Sequence, residues 1–264
     1  MSAITLPRTT FPIYEHKVRS KLDDLISRVF SAPFAKVFSS PIASPGAVAV
    51  IPWYLSGGIA AANCLGAYAG KGAASFAASK SNLVTPGTYD LTDLPKGPCT
   101  WDVANGWSGF VAGTSDSKGL NTGINNPLAQ TYSAIARFTS GGTAGDTVLG
   151  AFTSSYSFGL LLQAGRSALV AGYWNGNNNA DKAPTLAAGT MAIAGANGFR
   201  NGINESITIP GGTSGTPSTI YIGGYHVGLT LTSPFSGYIQ AVAIYNTVLL
   251  DAQISALHTA MAAL

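Results

Sequence analysis

Carboxylates are scarce in this 264-residue chain, eleven in all. Three of them, Glu15, Asp23 and Asp24, fall in the first 36 residues. Beyond that stretch the only acids spaced within three residues of each other are Asp90 and Asp93, in a loop flanked by prolines. Hydrolysis of a glycoside with retention needs two carboxyls about 5 Å apart, and no other close pair is on offer. Only two glutamates occur, Glu15 and Glu205. A serine nucleophile needs a strained elbow of the type Gly-x-Ser-x-Gly, with a histidine and an acid. That motif does not occur, and His226 in GGYHVG has no indicated partner. Three histidines and two cysteines, Cys64 and Cys99, lie far apart with no ligand spacing, so neither a metal site nor catalytic residues are expected.

Two segments suit binding better than catalysis. AGYWNGNNNADK sets Tyr173 and Trp174 beside Asn175, Asn177, Asn178 and Asn179, and GGYHVG holds Tyr225 and His226. Sugars are held by aromatic faces flanked by amides, because C–H patches stack and hydroxyls need paired donors and acceptors. Tyr173, Trp174, Asn175, Asn177, Tyr225 and His226 are therefore the candidate ligand residues. The competing reading packs Tyr173 and Trp174 in a core, with the Asn run as a turn. Trp53, Trp101 and Trp107 read as core residues.

The elements that must position these residues follow from composition and period. Charged residues make up 9% and hydrophobic residues 46%, against about a quarter charged in ordinary soluble domains. The surface must then be built from Ser, Thr, Asn and Gly. Residues 1–36 hold six Lys/Arg against three Asp/Glu, the whole net charge of +3, and the remainder carries eight of each sign. A neutral body lacks the dense basic patch that nucleic acid requires, so no nucleic acid is expected as a partner.

Residues 14–30 read as an amphipathic helix, with Val18, Leu22, Leu25, Ile26 and Val29 along one face. Pro12 and Pro33 bound it, and a Pro/Ser/Gly-rich connector follows. The chain therefore divides into an arm, 1–50, and a body, 51–264. The arm's stripe suits docking on a partner or self-association as a homo-oligomer; the alternative is that it folds back on the body. The N-terminus lacks the basic-then-apolar order of a signal peptide. The uncharged stretch from Lys36 to Lys71 is broken by Pro41, Pro45 and Pro52 and is poor in Leu and Ile, so no membrane span is expected.

After Pro52, period-two runs alternate with Gly- and Asn-rich turns. Tyr156, Phe158, Leu160 and Leu162 share one face. Tyr132, Ala134, Ala136 and Phe138 share another, with Arg137 opposite, and Ile220 and Ile222 alternate with Thr219 and Tyr221. Asn-Gly pairs begin at Asn105, Asn175, Asn197 and Asn201 and mark turns. Leu250, Ile254, Leu257, Met261 and Leu264 form the stripe of a closing helix that Asp251 can cap. The expected fold is all-β, an antiparallel two-sheet jelly-roll sandwich with an N-terminal helical arm and a short C-terminal helix. The two cysteines are expected to be buried thiols.

The closing segment PFSGYIQAVAIYNTVLLDAQISALHTAM, with Phe235, Gly237, Ile239, Val242, Ile244 and Tyr245, resembles the last strand and helix of laminin-G-like, concanavalin A-like lectin-glucanase jelly-roll domains. GANGFRNGINES resembles a hairpin of that family turning at Asn201-Gly202. TWDVANGWSGFVAGTSDSKGLNTGI resembles its early strands, with Leu120 and Ile124 pointing inward. The likeness spans about Trp53 to Leu264. It implies that Gly237 admits close strand entry, that the last strand is covered on both faces, and that the helix caps the open end of the sandwich. Glucanases of the family carry a Glu-x-Asp-x-(x)-Glu run, which is missing here. Many relatives hold calcium on the rim, which would fall to Asp116, Asp146 and Asp181; the alternative is that these are solvated turn residues, and no cofactor is expected. KGAASFAASKSNLVTPGTYDLT resembles a segment preceding such sandwiches in bacteriophage and prophage structural proteins. What that likeness implies is a non-enzymatic virion protein (capsid decoration, head fibre or tail-associated), with other virion proteins as partners. A carbohydrate- or receptor-binding tail adhesin facing a host surface glycan is the alternative, and a glycan-active enzyme a third.

Overall fold

A computed structural model describes residues 51–113, 117–126, 130–141, 143–154, 157–167, 171–175, 178–210, 218–227 and 230–264. The arm helix expected at 14–30, with Val18, Leu22, Leu25, Ile26 and Val29, lies outside the described residues. Ile51–Leu264 form one compact unit.

The strands are β1 (Cys64–Ala69), β2 (Thr92–Asp93), β3 (Thr100–Asp102), β4 (Gly106–Ser108), β5 (Leu120–Asn125) and β6 (Ser133–Thr139). They continue as β7 (Thr147–Ser154), β8 (Ser157–Gln163), β9 (Ala171–Asn175), β10 (Asn178–Lys182), β11 (Gly189–Ala194) and β12 (Asn197–Arg200). The last are β13 (Ile203–Thr208), β14 (Thr219–Ile222), β15 (Tyr225–Val227), β16 (Thr230–Thr232) and β17 (Tyr238–Tyr245). Two helices, α1 (Phe76–Lys80) and α2 (Asp251–Ala262), interrupt and close the series.

Among the described residues these strands form two large antiparallel sheets and a ribbon. The first sheet runs β13-β12-β11-β6-β17-β4-β3, with β1 also paired to β17. The second runs β10-β9-β8-β7-β14-β5-β2, and β15-β16 form the ribbon. The fold is thus an all-β sandwich with a short C-terminal helix.

Alternation explains the layers. Ala134, Ala136 and Phe138 on β6 and Ile220 and Ile222 on β14 point into one core between the sheets, with Leu120, Ile124 and Trp107. Ile135, Ala192, Ala194, Ala241, Ala243 and Tyr245 point the other way into a second core, completed by Ile254, Leu257 and Met261 of α2. Small residues on this outer face let the helix lie close. The helix therefore covers the outer face of the first sheet rather than capping the open end of the sandwich.

β17 is buried on both faces, and a bulge shifts the phase of its alternation. Ile239 pairs with Phe138 and Ala241 with Arg137, leaving Gln240 as the extra residue. Ile239 consequently joins Val242 and Ile244 in the inner core, while Ala241, Ala243 and Tyr245 face the helix. At Gly237 an added Cβ would overlap the Thr139 carbonyl oxygen, so the close entry into the sheet needs glycine. Asn201 and Gly202 both take positive φ between Arg200 and Ile203, the geometry of a two-residue hairpin turn. Asp251 does not cap α2. Leu250 occupies the N-cap and its N–H donates to Gln253 Oε1 (3.0 Å), while Asp251 accepts from Asn204 Nδ2 (3.1 Å). Cys64 and Cys99 are buried free thiols in the two different cores.

The segment 71–92 wraps β1. Asn82 is its buried hub: its Oδ1 accepts from the amides of Ala67 and Val84, and its Nδ2 donates to the Leu65 and Thr88 carbonyls. Ser79 of α1 accepts from the indole Nε1 of the buried Trp107 (2.9 Å). Among the described residues no helix is long and apolar enough to cross a membrane.

Candidate functional site: an aromatic sheet face

Every described carboxylate of the sandwich is engaged within the fold. Lys80 pairs with Asp93 (2.8 Å), Arg166 with Asp181, and Arg200 with Glu205 (2.7 Å). Asp90 accepts from the amides of Asn82 and Gly87. Asp102 accepts from the amides of Ala104 and Asn105 and from Asn105 Nδ2. Asp146, which is buried, accepts from the Thr143 and Ser236 amides and the Ser236 hydroxyl. It straps the loop before β7 to the loop before β17, so it is neither a solvated turn residue nor a free calcium ligand. Asp181 is likewise tied to Arg166, and Asp116 lies outside the described residues. Among the described residues no group of three His, Cys, Asp or Glu could hold a metal.

The second sheet carries one register row across all its strands. Asn179 pairs with Trp174, Trp174 with Leu161, Leu161 with Gly150, Gly150 with Tyr221, Tyr221 with Asn121, and Asn121 with Thr92. Directly opposed residues in antiparallel strands share a face. Because Leu160, Leu162, Ile220 and Ile222 point into the core, the row's Leu161, Gly150, Tyr221 and Asn121 lie on the outer face.

The β15–β16 ribbon folds over part of that row. A Cβ at Gly150 would lie 2.6 Å from Tyr225 Cβ and 2.9 Å from Leu161 Cδ1, so the missing side chain is what lets the ribbon settle. The ribbon is fixed by two ring stacks. Tyr225 lies on Phe152 with centroids 5.7 Å apart, and His226 lies on Tyr221 at 4.8 Å with 28° between the planes. All four rings are half-buried. Burial pushes the Tyr221 phenol up, against a smaller opposing effect from its hydrogen bond with Thr219, so it stays protonated at neutral pH as donor and acceptor.

The two segments singled out by sequence lie on different sheets, one on β9–β10 of the second sheet and the other on the β15–β16 ribbon. Tyr225 and His226 sit on the outer face. Trp174 shares the register row, and Asn175 pairs with Leu160 and Asn178; Asn177 lies outside the described residues. Tyr173 does not belong to the site. It is fully buried between the sheets, its hydroxyl 3.3 Å from the Phe199 carbonyl that accepts its proton, and it has no face to offer a ligand. Alternation is the reason: neighbouring residues of one strand cannot serve the same face. Sequence reasoning missed Tyr221 and Phe152. Tyr221 was signalled by its place between Ile220 and Ile222, which assigns it outward; Phe152 carried no such signal, since β7 is bulged on both sides of it.

No family model matches the chain, and no curated protein matches it. Among solved structures it is similar to Trypanosoma rangeli sialidase in complex with sialic acid, at 16% identity and a TM-score of 0.51. That match covers 75% of this chain and 33% of the sialidase chain, so this chain spans about a third of it. It is also similar to domain 4 of AbnA, a GH43 extracellular arabinanase from Geobacillus stearothermophilus in complex with arabinotriose (14% identity, 74% of this chain, 98% of that one, TM-score 0.48). A third is the CBM40 of Ruminococcus gnavus IT-sialidase (19% identity, 50% and 84%, TM-score 0.40). The sialidase likeness establishes the fold alone. Fold and face together define the class: a two-sheet antiparallel β-sandwich with a half-buried aromatic outer surface.

Proposed function

We propose that this chain is a non-enzymatic structural or accessory protein of a bacteriophage or prophage particle. In this reading residues 1–50 dock on capsid or tail proteins and the sandwich is displayed. One observation carries it: each described carboxylate of the sandwich is engaged in an ion pair or a hydrogen bond within the fold, which leaves no facing pair of free acids for catalysis. The neutral, hydroxyl- and amide-rich surface supports it, because such a surface packs densely without charge repulsion. The resemblance of 71–92 to segments of phage structural proteins supports it too. The test is quantitative mass spectrometry of purified particles from the host that encodes the chain. A capsid decoration is present in hundreds of copies and a tail component in a few. Absence from particles that otherwise assemble would sink the reading.

The second reading, a carbohydrate- or receptor-binding adhesin, is favoured by the half-buried ring stacks of His226 on Tyr221 and Tyr225 on Phe152 where the ribbon lies over the second sheet. A glycan array probed with the intact chain and with Tyr221→Ala tests it. Binding lost in the variant supports it, and a uniformly blank array counts against it.

A further inference from the structure

The outer face of the first sheet holds a guanidinium that has no acid partner among the described residues. Arg137 projects there from β6, opposite in phase to the inward Ala136 and Phe138. Its Nε donates to Gln240 Oε1 (2.8 Å), a neutral partner, and none of the ion pairs among the described residues includes it. Gln240 is the bulge residue of β17. It is buried, and its backbone carbonyl is fixed by the amides of Gly70 and Lys71. The glutamine is therefore held from behind, and with Nε occupied the two terminal nitrogens remain for an outside acceptor.

Thr190 of β11 is registered directly opposite Arg137 and is buried. Its hydroxyl lies 2.9 Å from Nδ1 of the half-buried His258 on α2, and its amide donates to Asn201 Oδ1. The threonine thus fixes the imidazole by one nitrogen and leaves Nε2 as a second donor when the ring is protonated. Burial first, and the Arg137 charge second, push the His258 pKa down. Thr190 thus links the Arg137 register position to the His258 ring, and no ion pair among the described residues gives either a carboxylate, an arrangement that a bound anion relieves when the ring is protonated.

We propose that Arg137 and His258, positioned by Gln240 and Thr190, form a binding site for one oxyanion group, a carboxylate or a phosphate, on the face of the sandwich opposite the aromatic row. A guanidinium with Nε tied presents the geometry for bidentate capture of such a group. Because an anion there favours the imidazolium, affinity for a carboxylate, whose charge is constant in this range, rises as pH falls through the His258 pKa. Arg137 is the charged residue that acts on His258; Thr190 and Asn201 beside it are neutral.

The test titrates inorganic phosphate and, separately, glucuronate into the full chain at constant ionic strength, with chloride as control, and reads the His258 ring resonances by NMR. Saturable shifts with either probe, accompanied by a rise in the His258 pKa, are expected, and the probe that saturates names the group. Arg137→Met should weaken binding by about tenfold or more, the worth of a charge-assisted pair, while Arg137→Lys retains part of it. If Arg137→Met fails to fold, His258→Gln read at the Thr190 amide replaces it, with affinity for glucuronate then independent of pH. Shifts equal to those given by chloride, or binding unchanged in the variant, would overturn the proposal.

Discussion

Arg200 and Glu205 meet at 2.7 Å across the Asn201–Gly202 turn, with side chains only 9% and 16% exposed. Arg200 also donates to the carbonyls of Pro184 and Lys182, so one guanidinium ties the β12–β13 hairpin of the first sheet to the end of β10 in the second. Arg200→Ala strands a buried carboxylate and two carbonyls and should cost about 3–5 kcal/mol. Glu205→Gln keeps a hydrogen-bonding partner and should cost less. Urea unfolding of both variants gives the order; equal and small losses would show that the pair is not a clamp.

Asn82 makes four hydrogen bonds through its side chain and is fully buried. Asn82→Ala leaves two amides and two carbonyls without partners. A loss of about 3 kcal/mol or more is expected, since each orphaned group costs about 1–3 kcal/mol. Asn82→Asp should also destabilise, because it replaces two donors with acceptors facing carbonyls. Thermal denaturation checks both.

Tyr173 and Tyr221 should separate stability from binding. Tyr173→Ala empties a core site and is expected to cost about 3–5 kcal/mol, and Tyr173→Phe, losing one long hydrogen bond, about 1 kcal/mol or less. Tyr221→Ala leaves the core intact and should cost less than Tyr173→Ala while removing the His226 stack. Denaturant midpoints for the three variants rank them.

Burial pushes the thiols of Cys64 and Cys99 up to about 12 from 9.0. The thiolate is the nucleophile, so both should be inert to a disulfide reagent near pH 8 in the folded chain and react on denaturation. The sign of the pH effect follows. The unfolded chain releases these protons near 9 and the folded chain near 12, so stability is complete below 9 and declines as pH rises between the two. Thiol titration with and without denaturant, and melting curves across that range, test it.

Much of the fold was legible because it rests on period. The alternations at Ala134–Phe138 and Ile220–Ile222 assigned core faces correctly, and Gly237 signalled the close strand entry. The stripe Ile254, Leu257 and Met261 was legible as an apolar face, but not its resting place, which depends on Ala192, Ala194, Ala241 and Ala243 leaving room on the outer sheet face. The site was less legible. Tyr173 and Trp174 looked like one aromatic pair, yet the pleat sends Tyr173 inward. The row joining Trp174 to Tyr221 arises from pairings between β9, β8, β7 and β14, which no local pattern encodes. Arg137 and His258 lie on β6 and α2, far apart in sequence, and are joined only by the register of β6 with β11 and the docking of the helix.

That the sandwich works by contact and not by catalysis is tested most directly by release of reducing ends from a broad panel of polysaccharides and acidic oligosaccharides incubated with the intact chain. Release no greater than in buffer is expected, and indistinguishable between the native chain and Glu205→Gln. Sustained release that a single carboxylate substitution abolishes would contradict it.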